Sequence, residues 1–222
     1  MAEFYRSSYR IYATALACAN STCVIIVREI AFAIPWSTRR TSCFDTSITT
    51  TQFFSLLCLG LQVHDSLLIN ELIRSCGQFI HVLDLRANAL QDTGMSHIAS
   101  QLSQYDEQHR HESVLCKLSF QSNQLTQQGI AFLAKCLLHN RTLRSLDLSH
   151  NNLHNEGLFL LRDALLTNRT VNELILRDCR LTDQAAIALA EFIAESTTIQ
   201  YIDLRYRRSW RMSTSRQLAL LP

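Results

Sequence analysis

Leu143 to Leu153 reads LRSLDLSHNNL, with apolar residues at spacings of three, two and five around Asn151. That spacing suits neither an amphipathic helix nor a simple alternating strand. The same frame, apolar-x-x-Leu-x-Leu-x-x-Asn/Cys-x-Leu, fits IHVLDLRANAL (80–90), LCKLSFQSNQL (115–125) and VNELILRDCRL (171–181). A further copy starts at IQYIDLRYRRS (199–209) and fails where Arg207 and Ser209 replace the Asn and the Leu. Leu118, Leu146, Leu174 and Ile202 lie 28 residues apart, and the step from Leu83 to Leu118 is 35. A near-constant period of this size implies a solenoid with one supersecondary unit per repeat.

Each unit has a physical reading. Leu-x-Leu is a short strand with alternate side chains turned inward, and an Asn at a fixed place can bond the turn backbone that the strand leaves free. Asn88, Asn123 and Asn151 should therefore form a structural ladder, with Cys179 as a weaker substitute. Six residues further on comes a small residue, Gly94, Gly129, Gly157 or Ala185, and then an apolar pair at i and i+4: Ile98 and Leu102, Leu133 and Leu137, Leu161 and Leu165, Leu189 and Ile193. Such pairs mark a helix with one buried face. Thr126 and Thr182 are placed as N-caps, and Asn140 and Asn168 stand where a helix end often takes a left-handed residue. The expected fold is an α/β horseshoe, strands inside and helices outside, with irregular flanks.

The repeat register covers about residues 60 to 204, which carry 11 Lys and Arg against 16 Asp and Glu. An acidic body of this kind argues against nucleic acid as the partner. The expected division is an irregular apolar and basic leader with linker over 1–58, the repeat domain over 59–205 with strands near 83, 118, 146, 174 and 202, and a basic disordered tail over 206–222. On this reading the solenoid starts with a helix that lacks its strand, as a partial or divergent product would. The apolar run Ile11 to Ile34 is interrupted by Asn20, Ser21 and Thr22 and contains Arg28 and Glu29, so a membrane span is not expected.

The eight cysteines include no C-x-x-C pair, and reduced structural thiols in the cytoplasm or nucleus are the expectation. Sequons occur at Asn20, Asn140 and Asn168, the last two at equivalent repeat positions, which repeat geometry explains without sugar. His150 and His154 straddle a turn and do not share a helix face, and His109 and His111 fall in YDEQHRHE, where the first step is seven residues longer than the others, read as a solvated loop. No phosphate loop, nucleophile elbow or spaced carboxylate pair appears, so neither catalysis nor a cofactor is implied. What remains is surface. Alternation within each strand sends the residues beside the core leucines onto the concave face. Arg86, Gln121, Asp147, Arg177, Tyr201, Asp203 and Arg205 are the candidate protein-binding residues, Arg and Tyr foremost because they dominate interface hot spots.

VLDLRANALQDTG (82–94), NNLHNEGL (151–158), NRTVNELIL (168–176) and AEFIAES (190–196) carry a resemblance. The unit resembles the ribonuclease-inhibitor class of leucine-rich repeats, and the strings are similar to the family of protein phosphatase 1 regulatory subunit 37. That resemblance, over about residues 60 to 205, implies a non-enzymatic subunit that binds the catalytic subunit of protein phosphatase 1 and restrains its activity. It also implies a docking motif, basic residue then Val-x-Phe, ahead of the repeats. The nearest string is Arg28-Glu29-Ile30-Ala31-Phe32, which meets only a permissive form with Arg28, Ile30 and Phe32 as anchors. A generic repeat adaptor and a GTPase activator of the same repeat class are the alternatives.

Overall fold

The computed structural model describes residues 53–77, 80–108 and 114–205. The leader run, the Arg28-Ile30-Phe32 string, His109, His111 and the tail 206–222 lie outside them. Strands and helices alternate: β1 Phe53–Ser55, α1 Ser66–Cys76, β2 Val82–Asp84, α2 Gln91–Gln108, β3 Lys117–Ser119, α3 Gln127–His139, β4 Ser145–Asp147, α4 His154–Thr167, β5 Glu173–Ile175, α5 Asp183–Glu195 and β6 Tyr201–Asp203. Parallel neighbours need a crossover longer than a hairpin, and each helix supplies it. The strands pair in chain order, parallel throughout. Leu83, Leu118, Leu146, Leu174 and Ile202 are in register, so one leucine column runs through the sheet.

That column, apart from the partly buried Ile202, and the next one, Leu85, Phe120, Leu148 and Leu176, are buried against the helix faces. The helices present Ile98 and Leu102, Leu133 and Leu137, Leu161 and Leu165, and Leu189 to the same core. Ile193 is half-buried. Each buried leucine contributes about 1.5–3 kcal/mol relative to exposure, so the repeating columns are the main source of stability.

Three expectations are corrected. The solenoid does not start at residue 59 with a helix lacking its strand: Phe53–Ser55 is a strand paired with β2, Phe54 beside Leu83. Phe54, Leu56, Leu59 and Leu61 are buried there, so FFSLLCLGL occupies the repeat frame with Phe for the first Leu and Leu59 for the ladder Asn. An apolar ladder residue keeps the packing and gives up the hydrogen bonds, which hid the repeat from a pattern keyed on Asn.

The excess YDEQHRHE is not wholly loop. The helix α2 runs on to Gln108, 18 residues against 13 in α3. Tyr105 is buried in the core, where its ring faces Gly77, whose added Cβ would stand 2.7 Å from Tyr105 Cζ.

Asn140 and Asn168 do cap helices, but in extended conformation, φ −64° and −68°. Their amides are the reason they are there. Asn140 Oδ1 accepts from the backbone N–H of Thr142 and Leu143, and Asn168 Oδ1 from those of Thr170 and Val171. Asn168 Nδ2 then donates across the repeat boundary to the carbonyls of Leu137 and Asn140. Both asparagines are buried, so a second ladder stands at the helix-to-strand return.

Left-handed residues lie elsewhere. Cys58, Ala87, Ser122, His150 and Asp178, each immediately before the ladder position, have φ between 53° and 56°. A non-glycine residue in that region costs about 1–2 kcal/mol. The ladder bonds offset it: Asn151 Oδ1 accepts from the N–H groups of Asn123 and Leu125, while Nδ2 donates to the carbonyls of Phe120, Leu148 and Ser149. Asn88 and Asn123 repeat the scheme with their own neighbours. The Cys179 thiol donates weakly to Leu148 O at 3.4 Å, and burial pushes it up to about 12. Burial likewise raises the Cys136 thiol, to about 11.

Candidate functional site: the concave face

Three columns of side chains leave the sheet on its concave side. The middle one is Ser55, Asp84, Ser119, Asp147, Ile175 and Asp203, in register from β1 to β6. Serine and aspartate bond across adjacent strands: Ser55 Oγ donates to Asp84 Oδ2 at 3.3 Å and Ser119 Oγ to Asp147 Oδ2 at 3.2 Å. The carboxylates also bond forward. Asp84, Asp147 and Asp203 each accept from the backbone N–H two residues on, that of Arg86, Ser149 and Arg205. An Asp at the last position of the strand thus closes the turn, as its side chain readily does.

Arginine occupies that second position where the pairing is strongest. Arg86 holds Asp84 with Nε at 2.8 Å and a second guanidinium nitrogen at 2.7 Å. Arg205 holds Asp203 in the same way, with its terminal nitrogen 2.8 Å from Oδ2. Arg177 has Ile175 where its Asp would stand, and it reaches across to the next strand, Nε to Asp203 Oδ2 at 2.7 Å. Tyr201 adds its hydroxyl to the same oxygen at 3.3 Å. Burial by itself would raise the Asp203 carboxyl, but the hydrogen bonds from Arg205 and Arg177 outweigh it and hold the group well below the usual carboxylate range.

The structure therefore sorts the candidates from the sequence. Asp203 is only 4% exposed and cannot meet a partner broadly; it is the anchor that arranges Arg177, Tyr201 and Arg205. Those three face solvent, Arg205 most, with 72% of its side chain exposed. Arg86 is brought together with Asp84 at the far end of the face, not with the Asp203 cluster. Gln121 and Asp147 lie between, half-buried. Alternation also puts Ser119 and Ser149 on this face, but their bonding role was not legible in the sequence: Ser149 is buried, and its Oγ accepts from Arg177 N at 3.2 Å. For Ser55 and Ser119 the signal was the alternation of Ser and Asp down the middle column. His150 Nδ1 lies 3.3 Å from Asp178 Oδ2, in a turn contact, and His154 is exposed. Among the described residues no group of three or more His, Cys, Asp or Glu is placed to hold a metal ion, and no helix is long and apolar enough to cross a membrane.

Three stretches of the chain, residues 78–99, 139–161 and 167–190, match the family model described as Leucine Rich repeat. These matches and the parallel strand register above fit a leucine-rich-repeat solenoid. Among solved structures the chain is similar to Leiomodin-1 Actin-Binding Site 2 (ABS2), at 18% identity and a TM-score of 0.50, over 58% of this chain and 70% of that one. No curated protein matches the sequence.

Proposed function

We propose that this chain is a non-enzymatic protein-binding scaffold that docks partners on its concave face. The observation that carries this reading is the set of exposed Arg and Tyr side chains held in fixed positions by the buried carboxylates Asp84 and Asp203. Side chains already ordered lose less entropy on binding, and Arg and Tyr are the usual hot-spot residues. The resemblance of 82–94, 151–158, 168–176 and 190–196 to the family of protein phosphatase 1 regulatory subunit 37 makes the phosphatase catalytic subunit the proposed partner, with ribonuclease-inhibitor-type repeats as the matching repeat class. Restraint of the phosphatase would come from blocked or redirected substrate access, with no chemistry done by this chain. Cytoplasmic or nuclear residence goes with this reading, and the buried, bonded amides of Asn140 and Asn168 support it because neither nitrogen is free to take a sugar.

The test is capture of purified phosphatase catalytic subunit by the full chain, by Ile30→Ala/Phe32→Ala and by Tyr201→Ala/Arg205→Gln. Loss only in the first variant puts docking in Arg28 to Phe32; loss only in the second puts it on the solenoid. No capture by the unaltered chain removes the phosphatase and leaves the adaptor reading, for which actin, named for the Leiomodin-1 fragment, is the second bait.

A further inference from the structure

At the β2 end of the concave face arginine and aspartate balance. Arg86 meets Asp84 one to one, both partners in the same strand and turn. At the β5 and β6 end they do not, because Ile175 takes the place of the aspartate that Arg177 would have had, and two guanidinium groups converge on the single carboxylate of Asp203. One positive charge is left over, beside an exposed Tyr201 ring and the half-buried aliphatic side chain of Ile175.

The other acids at this end are not the partners of Arg177 or Arg205, whose side-chain bonds go to Asp203. Asp147, one strand away, is turned to Ser119 Oγ and Ser149 N. Asp178, on the turn after β5, is engaged by His150. Glu173 starts β5 beside Tyr201, its register partner on β6, and lies four residues, about 13 Å along the strand, from Arg177. Arg205 and Arg177 are 72% and 41% exposed at the side chain, against 2% for Asp203. Asp203 thus serves as an internal template: it spends one edge of each guanidinium on holding position and leaves the outer donors toward solvent. The sequence continues with Arg207 and Arg208, the same sign of charge.

We infer that the Arg177–Tyr201–Arg205 cluster receives an acidic segment of a partner protein, an Asp or Glu carboxylate meeting the outer guanidinium edges while a neighbouring side chain lies on Tyr201 and Ile175. Bidentate Arg-carboxylate bonding is the strong form of this contact, and pre-ordering by Asp203 lowers its entropic cost. The inference rests on the proposed use of the concave face for docking and names the chemistry of what docks there.

The test is fluorescence anisotropy of the full chain with a fluorescein-labelled peptide of alternating Glu-Ser and Asp-Ser pairs ending in Tyr, beside the same peptide with Gln and Asn for the acids. The acidic peptide binds, the neutral one does not, and added salt weakens binding. Arg205→Gln leaves Arg177 to hold Asp203, so it keeps the fold, which circular dichroism checks, and weakens the acidic peptide about tenfold. Lys135→Gln, an exposed charge on α3, leaves it unchanged. Equal binding by Arg205→Gln, or an equal loss with Lys135→Gln, overturns the inference. If both peptides bind alike and Tyr201→Ala weakens both, concave docking stands and the acidic specificity falls; if neither peptide responds to any concave variant, both fall.

Discussion

Asn151 shows how much one side chain can hold in this fold. It accepts from two backbone N–H groups of the preceding repeat and donates to carbonyls of both repeats, all in the buried interior. Asn151→Ala leaves those groups without partners, and each buried, unsatisfied group costs about 1–3 kcal/mol, so a loss of about 3–5 kcal/mol is expected in urea unfolding. Asn151→Cys should lose clearly less, because Cys179 already fills the same position one repeat later with weaker bonds. Equal losses in the two variants would show that the ladder works by volume alone. Asp203 gives a pH dependence with a definite sign. Its carboxyl is held below the ordinary value of 3.8, so the stability it contributes is present above about pH 4 and is lost as pH falls toward the lower folded value. Asp203→Asn should reduce stability at neutral pH and flatten the acid limb of a pH titration of the melting temperature. An acid limb as steep as that of the unaltered chain would place the acid-sensitive group elsewhere. The ladder was legible in the sequence because Asn is rare at an otherwise apolar position, whereas the left-handed residue before it was not: Cys58, Ala87, Ser122, His150 and Asp178 share a conformation and no chemistry.

At the scale of elements, neighbouring helices are tied by clamps that no single repeat contains. Asp92, in the first turn of α2, accepts from the Thr126 backbone N–H at 2.8 Å and from its hydroxyl at 2.6 Å, ahead of α3. Asn155 of α4 also clamps Thr182 ahead of α5 at two points, accepting from its backbone N–H and donating through Nδ2 to its hydroxyl oxygen. Gly129 is small because of this arrangement: a Cβ there would overlap Asp92 Oδ1 and press on the Asp92 backbone. Gly129→Ala, although it raises helix propensity by about 1 kcal/mol, should therefore destabilise the protein by about 1–2 kcal/mol net in thermal or urea unfolding. A net gain would mean that the clamp yields freely. The sequence predicted a small residue here from the shared spacing, but the clamp itself was invisible, since Asp92 and Thr126 lie 34 residues apart across the irregular 35-residue step. The same irregular step concealed the fate of the insertion, where Tyr105 reads as polar loop in sequence and is core in space. The first strand was missed for a related reason: Phe54 and Leu59 keep the volume that the repeat needs while breaking its letters.

At the scale of the whole described solenoid, the order of loss on unfolding should follow the two edges of the sheet, β1 and β6. A solenoid is stabilised by each repeat and by its contacts with neighbours, so a repeat with one neighbour is weaker than one with two. The β1 end is well covered, with Phe54 and Leu56 buried. The β6 end is not: Leu204 is 41% exposed where its equivalents Leu148 and Leu176 are buried, and Ile199 and Ile202 are only partly covered. Ser196 stands there in place of Asn140 and Asn168; its hydroxyl accepts from the N–H groups of Thr198 and Ile199, whereas Asn168 also donates back across the repeat boundary. Native-state hydrogen exchange should therefore show α5 and β6 opening first and the amides of β3, α3 and β4 last, near the global unfolding free energy. Uniform protection from β1 to β6 would contradict this and would mean that the solenoid opens as one unit. The consequence reaches function, because Arg177, Tyr201 and Arg205 sit at the β5 and β6 end and are held in place largely by Asp203. A partner bound across β5 and β6 would slow exchange there by the free energy of its binding, through selective stabilisation of the closed state. The same experiment with and without the acidic peptide thus separates a partner on this end of the concave face, which protects α5 and β6, from one seated near Arg86, which leaves them unchanged.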